Sequence, residues 1–408
     1  MRAVRAVGTV LLVFVLLAAI ESPSAATAAS DSGAPLPASP SEPVDLRAEV
    51  ESQAEYVGLD EVDRILEQLN QEMEGDLPPL RVKDVVDLLL RGEGAYTLTG
   101  FLQALGLRLW REVAAASGLL ARLVILALLC GLLHNLGSAF ARKDTSDLAF
   151  AACYLVLVLM ATGGFIVALR VCQGVIDRLV DFMQAMLPVM ITLLAGMGAV
   201  TTATLFNPVL VASMEFLAAV IRNVVLPVVV SAACIDLVSR IFGRFRLTAL
   251  ADLLKQAAIV ATGVLLSLFL GLTAAYGAAG AVADGVAIKA AKFATSTFIP
   301  FIGKVLADAV EVVMGSSLVL KNAVGVIGAL AVVAFTVFPL VKVLSLVIVY
   351  RVAGAVVQPV GAGELVGSLT SVGNSLVLMM VVAGAVSVMF LLTIAIVVGA
   401  ATAAIMVR

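Results

Sequence analysis

Histidine and cysteine are scarce in this 408-residue chain, which holds one histidine, His134, and four cysteines, Cys130, Cys153, Cys172 and Cys234. A lone histidine cannot assemble a metal site, and no CxxC pair is present. The cysteines lie in or beside apolar runs and none precedes residue 130. A disulfide-stapled ectodomain is therefore excluded, and the thiols read as packing residues. Charge is sparse as well, at 13% of residues, and no basic, aromatic-interleaved patch implies nucleic acid. HExxH, GxSxG, Walker A and tight glycine-rich phosphate motifs are all missing. With no nucleophile–base pair and no metal cluster, the chain reads as a non-enzyme without a cofactor.

What fills the space is apolar. Hydrophobic residues make up 62% of the chain and the mean hydropathy is +1.11, more than one soluble core can hide. An apolar run of about 18 residues or more reads as a membrane span, because crossing the hydrocarbon takes roughly 20 residues. Leu119–Phe140, Leu148–Leu169, Ala257–Val282, Asn322–Val341 and Leu376–Val407 meet that test clearly. Phe182–Val200, Leu205–Ile221 and Val224–Val238 are further spans, carrying Pro188, Pro208 and Pro227, and Val343–Val360 is marginal. The expected fold is all-α: a polytopic membrane bundle over residues 113–408, with about seven to nine spans.

The first 112 residues differ. Arg2 and Arg5, an apolar core from Val7 to Ile20 and small residues up to Ala28 give residues 1–28 a signal-peptide layout. Residues 29–43, rich in Pro, Ser and Ala, suit a disordered linker. Residues 44–112 read as an acidic, exported helical region. Leu59, Val62, Ile65, Leu66, Leu69 and Met73 recur at helical spacing behind Asp60, and Pro78-Pro79 ends the pattern. Val82, Val85, Val86 and Leu89 continue it, and Thr99 precedes a third stripe, Phe101, Leu102, Leu105 and Leu109, leading to Trp110. Ala29–Glu112 holds 17 acidic and 7 basic residues, against 11 and 17 in Val113–Arg408.

Basic loops orient the bundle. With the acidic region exported, Arg142 and Lys143 fall in the cytoplasm, and so do Arg240, Arg244, Arg246 and Lys255. Ionisable residues inside apolar runs are the candidates for function, because they are costly there. Glu215 and Arg222 lie two helical turns apart and can pair with each other or with a neighbouring helix such as the one carrying Asp236. These three form a candidate polar membrane lining; the competing reading makes Arg222 and Asp236 span ends. Lys304, Asp308 and Glu311 share one helix face at i, i+4 and i+7. That face fits an interfacial or re-entrant amphipathic helix bent at Pro300, or a span lining a polar cavity. Pro188 and Pro227 recur 112 residues later as Pro300 and Pro339, an offset compatible with duplication or with chance.

Several stretches resemble the stage III sporulation protein AE family of endospore-forming bacteria. They are Phe269–Leu330, FNPV at Phe206–Val209, RNVVLP at Arg222–Pro227, LADLLK at Leu250–Lys255, QPVGAG at Gln358–Gly363 and LDEVDRIL at Leu59–Leu66. The resemblance implies a multi-pass protein of the mother-cell membrane around the forespore, with its N-terminal region in the intermembrane space. It further implies a place in a transenvelope channel complex, likened to secretion systems, that supports forespore development and late forespore gene expression. Implied partners are other proteins of the same operon (a secretion-ATPase-like protein, ring-forming proteins and small membrane proteins) and a forespore-side membrane protein, besides the lipid bilayer. The family supplies no catalytic residues to transfer. A secondary transporter of a small solute is the rival reading, and it would need Glu215 and Arg222 at a midplane site.

Overall fold

The computed structural model describes residues 60–73, 98–139, 143–241, 247–298, 303–360 and 363–406. The expected signal peptide, the linker and the Val82–Leu89 helix lie outside the described residues. Every described element is helical. In chain order these are α1 (Asp60–Met73), α2 (Leu98–Ala115), α3 (Ser117–Ala139), α4 (Lys143–Gly196) and α5 (Val200–Val220). A π-helical turn, Ile221–Val225, joins α5 to α6 (Leu226–Ile241). Next come α7 (Thr248–Phe298) and α8 (Gly303–Val357). A 3-10 turn at Gln358–Val360 leads to α9 (Gly363–Met406).

Five stretches are long and apolar enough to cross a membrane: Ala151–Gly196, Val200–Arg240, Thr248–Ala287, Ser317–Val357 and Gly363–Gly399. Gly100–Ala115 and Ser117–Leu133, bent by 46°, make a sixth if they form one span. Among the described residues this is fewer than the seven to nine expected. The reason lies in the prolines. Runs that read as separate spans, such as Leu148–Leu169 and Phe182–Val200, are one continuous helix of 54 residues, and Pro188 sits inside it. Pro208 and Pro339 are likewise internal, to α5 and α8. Proline is tolerated in membrane helices where nearby groups take up the freed backbone polar atoms. The hydroxyls of Thr192 and Ser231 donate to the Pro188 and Pro227 carbonyls at 2.8 and 2.9 Å, back-bonds one turn beyond the carbonyl, four residues before each proline, that loses its N–H donor. Ahead of Pro227 the helix widens instead, and the Leu226 N–H reaches back to the Ile221 carbonyl. That wider turn relieves the clash between the proline ring and the preceding turn.

The long helices alternate in direction. α4, α7 and α9 run one way, with α5–α6 and α8 antiparallel to them. The register is fixed by Phe182 against Phe335, ring centroids 5.5 Å apart, and by the Tyr350 hydroxyl donating to the Met160 carbonyl at 3.3 Å. α8 and α9 form the most extensive pairing and the centre of the bundle. Of their apolar stretches 61% and 56% is buried, against 22% for α7 at the edge. Close approach is met by a small residue at α4–α8, where a Cβ on Gly164 would collide with the Tyr350 hydroxyl. The α4–α5 corner, Met197–Ala199, turns on Gly198 at φ 85°, a left-handed conformation natural only to glycine.

α1 begins at Asp60 as its sequence pattern predicts, and buries Val62, Leu66 and Leu69 against α4 and α8. Part of the acidic region therefore packs on the bundle. α2 lies across α8, with Phe101 edge-on to Phe338 and the Arg108 guanidinium 5.2 Å above the same ring. It runs through residues 112 and 113, the boundary expected between exported region and membrane domain. At the 112-residue offset Pro227, the second residue of α6, falls on Pro339 deep within α8, and Pro300 lies outside the described residues.

Candidate functional site

Polar side chains gather at three stations along the bundle. The first is at the end where α6 stops and α7 and α9 begin. Asp236, 4% exposed, takes Lys255 Nζ of α7 at 3.1 Å and Arg240 of its own helix at 3.4 Å. The Ser371 hydroxyl of α9 donates to the same carboxylate. Beside it the Tyr154 hydroxyl of α4 bonds Ser368, whose hydroxyl also reaches the Glu364 carbonyl at 2.7 Å. Three helices, α6, α7 and α9, thus meet at one carboxylate, with α4 beside them. A buried anion persists only when its oxygens are paired and hydrogen-bonded, and Asp236 satisfies that condition. Arg240 Nε, buried, has no partner among the described residues.

The second station is midway along α4. Arg222, in the π-helical turn, pairs with Asp177 at 3.0 Å, with side chains 44% and 40% exposed. Gln173 donates to the Arg222 carbonyl at 3.3 Å, and Gln184 donates to Glu215 at 2.6 Å. Glu215 and Arg222 therefore share a face, as their spacing implies, but each is engaged by α4 rather than by the other. Asp236 sits fourteen residues beyond Arg222, in a different cluster. The three candidate lining residues are not brought together at one point.

The third station is the α4–α5 corner. Asp284 of α7, 1% exposed, accepts the backbone N–H groups of Thr201 and Thr202 at 2.7 and 2.9 Å. A helix start offers free N–H donors and a positive dipole end, so a carboxylate there is doubly favourable. It comes from another helix and thereby fastens α5 to α7. Not far away, fully buried Lys321 of α8 donates to the Val398 carbonyl of α9 at 2.8 Å. Sequence reasoning missed Asp177, Tyr154, Asp284, Lys321 and the α9 serines. Asp284 and Lys321 carried a readable signal, since each is an ionisable residue inside an apolar run. The side chains of Lys304, Asp308 and Glu311 lie outside the described residues; the backbone there is the first turns of α8. Among the described residues no cluster of His, Cys, Asp and Glu is suited to a metal ion.

The same motifs can be placed among known proteins. The family model for stage III sporulation protein AE matches residues 80–401. The chain belongs to that family. The stage III sporulation protein AE of Bacillus subtilis (strain 168) is 33% identical over 350 residues, which span 85% of this chain and 88% of that protein. No solved structure matches it. All three polar stations of this stage III AE family member fall inside the matched region, and α1 lies before it. RNVVLP is the π-helical turn that carries Arg222, and LADLLK is the first turns of α7 that deliver Lys255 to Asp236. The family links the chain to sporulation, and its long apolar helices make it a membrane protein.

Proposed function

We propose that this protein is a non-enzymatic, multi-pass component of the transenvelope channel complex linking mother cell and forespore during sporulation. In this reading it supports forespore development and late forespore gene expression. It sits in the mother-cell membrane around the forespore, with its N-terminal region in the intermembrane space. Partners are the secretion-ATPase-like, ring-forming and small membrane proteins of its operon and a forespore-side membrane protein. Family membership over residues 80–401 is the observation that carries the reading. The bundle suits it physically, because buried polar knots hold long helices at fixed heights, as a scaffold or the fixed wall of a permease-like part requires. A small-solute transporter would need convergent charges at a midplane site, and Glu215 and Arg222 are instead spent separately on α4.

Affinity purification of the tagged full chain from sporulating cells tests the proposal. Co-purification of operon partners, lost on deletion of residues 44–94, is the expected result. Normal sporulation and an unchanged partner set after that deletion would remove the docking role of the N-terminal region. Purification without any operon partner would remove the complex itself.

A further inference from the structure

The bundle is far taller than a bilayer. At 1.5 Å per residue the 54 residues of α4 extend roughly 80 Å, against about 30 Å of hydrocarbon, or about 40–45 Å with headgroups. α7 and α8, of 51 and 55 residues, are comparable. About half of each helix must therefore lie outside a single membrane, and the described surface says which half.

Toward the Asp236 end, large apolar side chains face outward on every side. Examples are Ile125 and Leu129 of α3, Leu155 and Leu159 of α4, Ile259 and Leu268 of α7, and Val352 of α8, all exposed. Beyond Gln184 and Glu215, the exposed positions of α4, α5 and α7 are mostly small or polar. Among the described side chains Thr192, Ala195, Thr204, Ala212, Ala274, Ala275 and Ala278 point out, with Val200, Leu205, Phe216, Leu272, Val282 and Val286 as the large exceptions. Among the described side chains the upper half turns most of its bulky residues inward, as Met186, Met190, Leu193 and Leu210 show.

Between the two halves runs a polar waist. Asp177–Arg222 and Gln184–Glu215 lie on one side of it. On α8, exposed Lys342 lies one turn from Phe338, under Arg108 of α2. Trp110, the chain's single tryptophan and 74% exposed, belongs to the same α2. Tryptophan and cationic side chains are the residues that favour a headgroup layer. α1, with Asp63, Arg64 and Glu67 exposed, also packs on α4 and α8, and such a charged face cannot lie in hydrocarbon.

We infer that the lipid-facing belt is the lower half alone, from the Asp236 end up to the Arg222–Trp110 waist, and that the upper half projects into water. The waist is the headgroup line of the leaflet opposite the basic loops. Asp284 and the α4–α5 corner then stand roughly 30 Å above that line, from about 20 residues of helix. This conclusion is independent of the channel proposal and holds for the isolated chain.

Two measurements on the full chain in phospholipid nanodiscs test it. In a background with the four native cysteines replaced, single cysteines at Thr192, Thr204 or Ala278 should react with a charged, impermeant maleimide at least tenfold faster than cysteines at Leu159 or Ile259. Equal protection of both sets would overturn the inference by placing the upper half in lipid; equal reactivity would overturn it by removing the belt. The native chain supplies the second test through Trp110. Its fluorescence should be quenched more by lipids brominated near the headgroup than by lipids brominated near the chain terminus. The reverse order, or no quenching by either, overturns the placement of the waist.

Discussion

Asp236 and Arg222 look alike in the sequence: each is a charge within an apolar run, near a proline or a span end. In the fold they are opposites. Asp236 is enclosed by α4, α6, α7 and α9 with two cations and a serine on its carboxylate. Arg222 is half exposed and pairs with the single, equally open carboxylate of Asp177. The difference teaches that cost in a membrane protein follows surroundings and not depth in the sequence. The enclosed charge ties three helices together, and the open one joins two at their surface.

The comparison can be broken or sharpened by substitution. Asp236→Ala leaves Lys255 and Arg240 facing each other without their counter-ion, which should cost about 3–5 kcal/mol. Thermal unfolding of the solubilised protein should show the largest loss of the series. Pairing Asp236→Leu with Lys255→Met should recover part of it, since a packed apolar pair can replace a buried ionic one. A Tm unchanged by Asp236→Ala would dismiss the knot as decoration.

Asp284→Ala comes next. It orphans two N–H groups at the start of α5, a loss of about 2 kcal/mol, and hydrogen exchange should accelerate at Thr201 and Thr202 before anywhere else. Gly164→Val forces the Tyr350 hydroxyl out of its notch and should cost about 1–3 kcal/mol by overpacking, with α4 and α8 sliding apart. The smallest effect belongs to Arg222→Ala or Glu215→Gln. A half-exposed pair is worth under about 1 kcal/mol, so heat-resistant spore counts should stay near those of the parent. If Arg222→Ala instead equalled Asp236→Ala in either assay, the contrast between the two charges would be gone.

Much of the architecture could be read before any coordinates existed. The all-helical class and the α1 stripe from Val62 to Leu69 follow from periodicity, and the structure repeats them. The span count did not follow, because proline reads as a terminator in a one-dimensional pattern. Pro188 and Pro339 are nonetheless internal to continuous helices, which the pattern does not reveal. The candidate charges were half legible. Spacing gave Glu215 and Arg222 a common face, yet their partners Gln184 and Asp177 stand on a helix thirty to fifty residues earlier. Asp284 was overlooked for a related reason: its partners are backbone N–H groups, which carry no residue letter.

Asp284 has a mechanical consequence. Together with the Lys255–Asp236 bond it rivets α7 at two heights, one rivet near its start to the end of α6 and the other about two thirds of the way along to the start of α5. A strut pinned twice cannot swing aside like a door, and neither can the pair of helices it braces. Any rearrangement along this flank must then carry α5, α6 and α7 together.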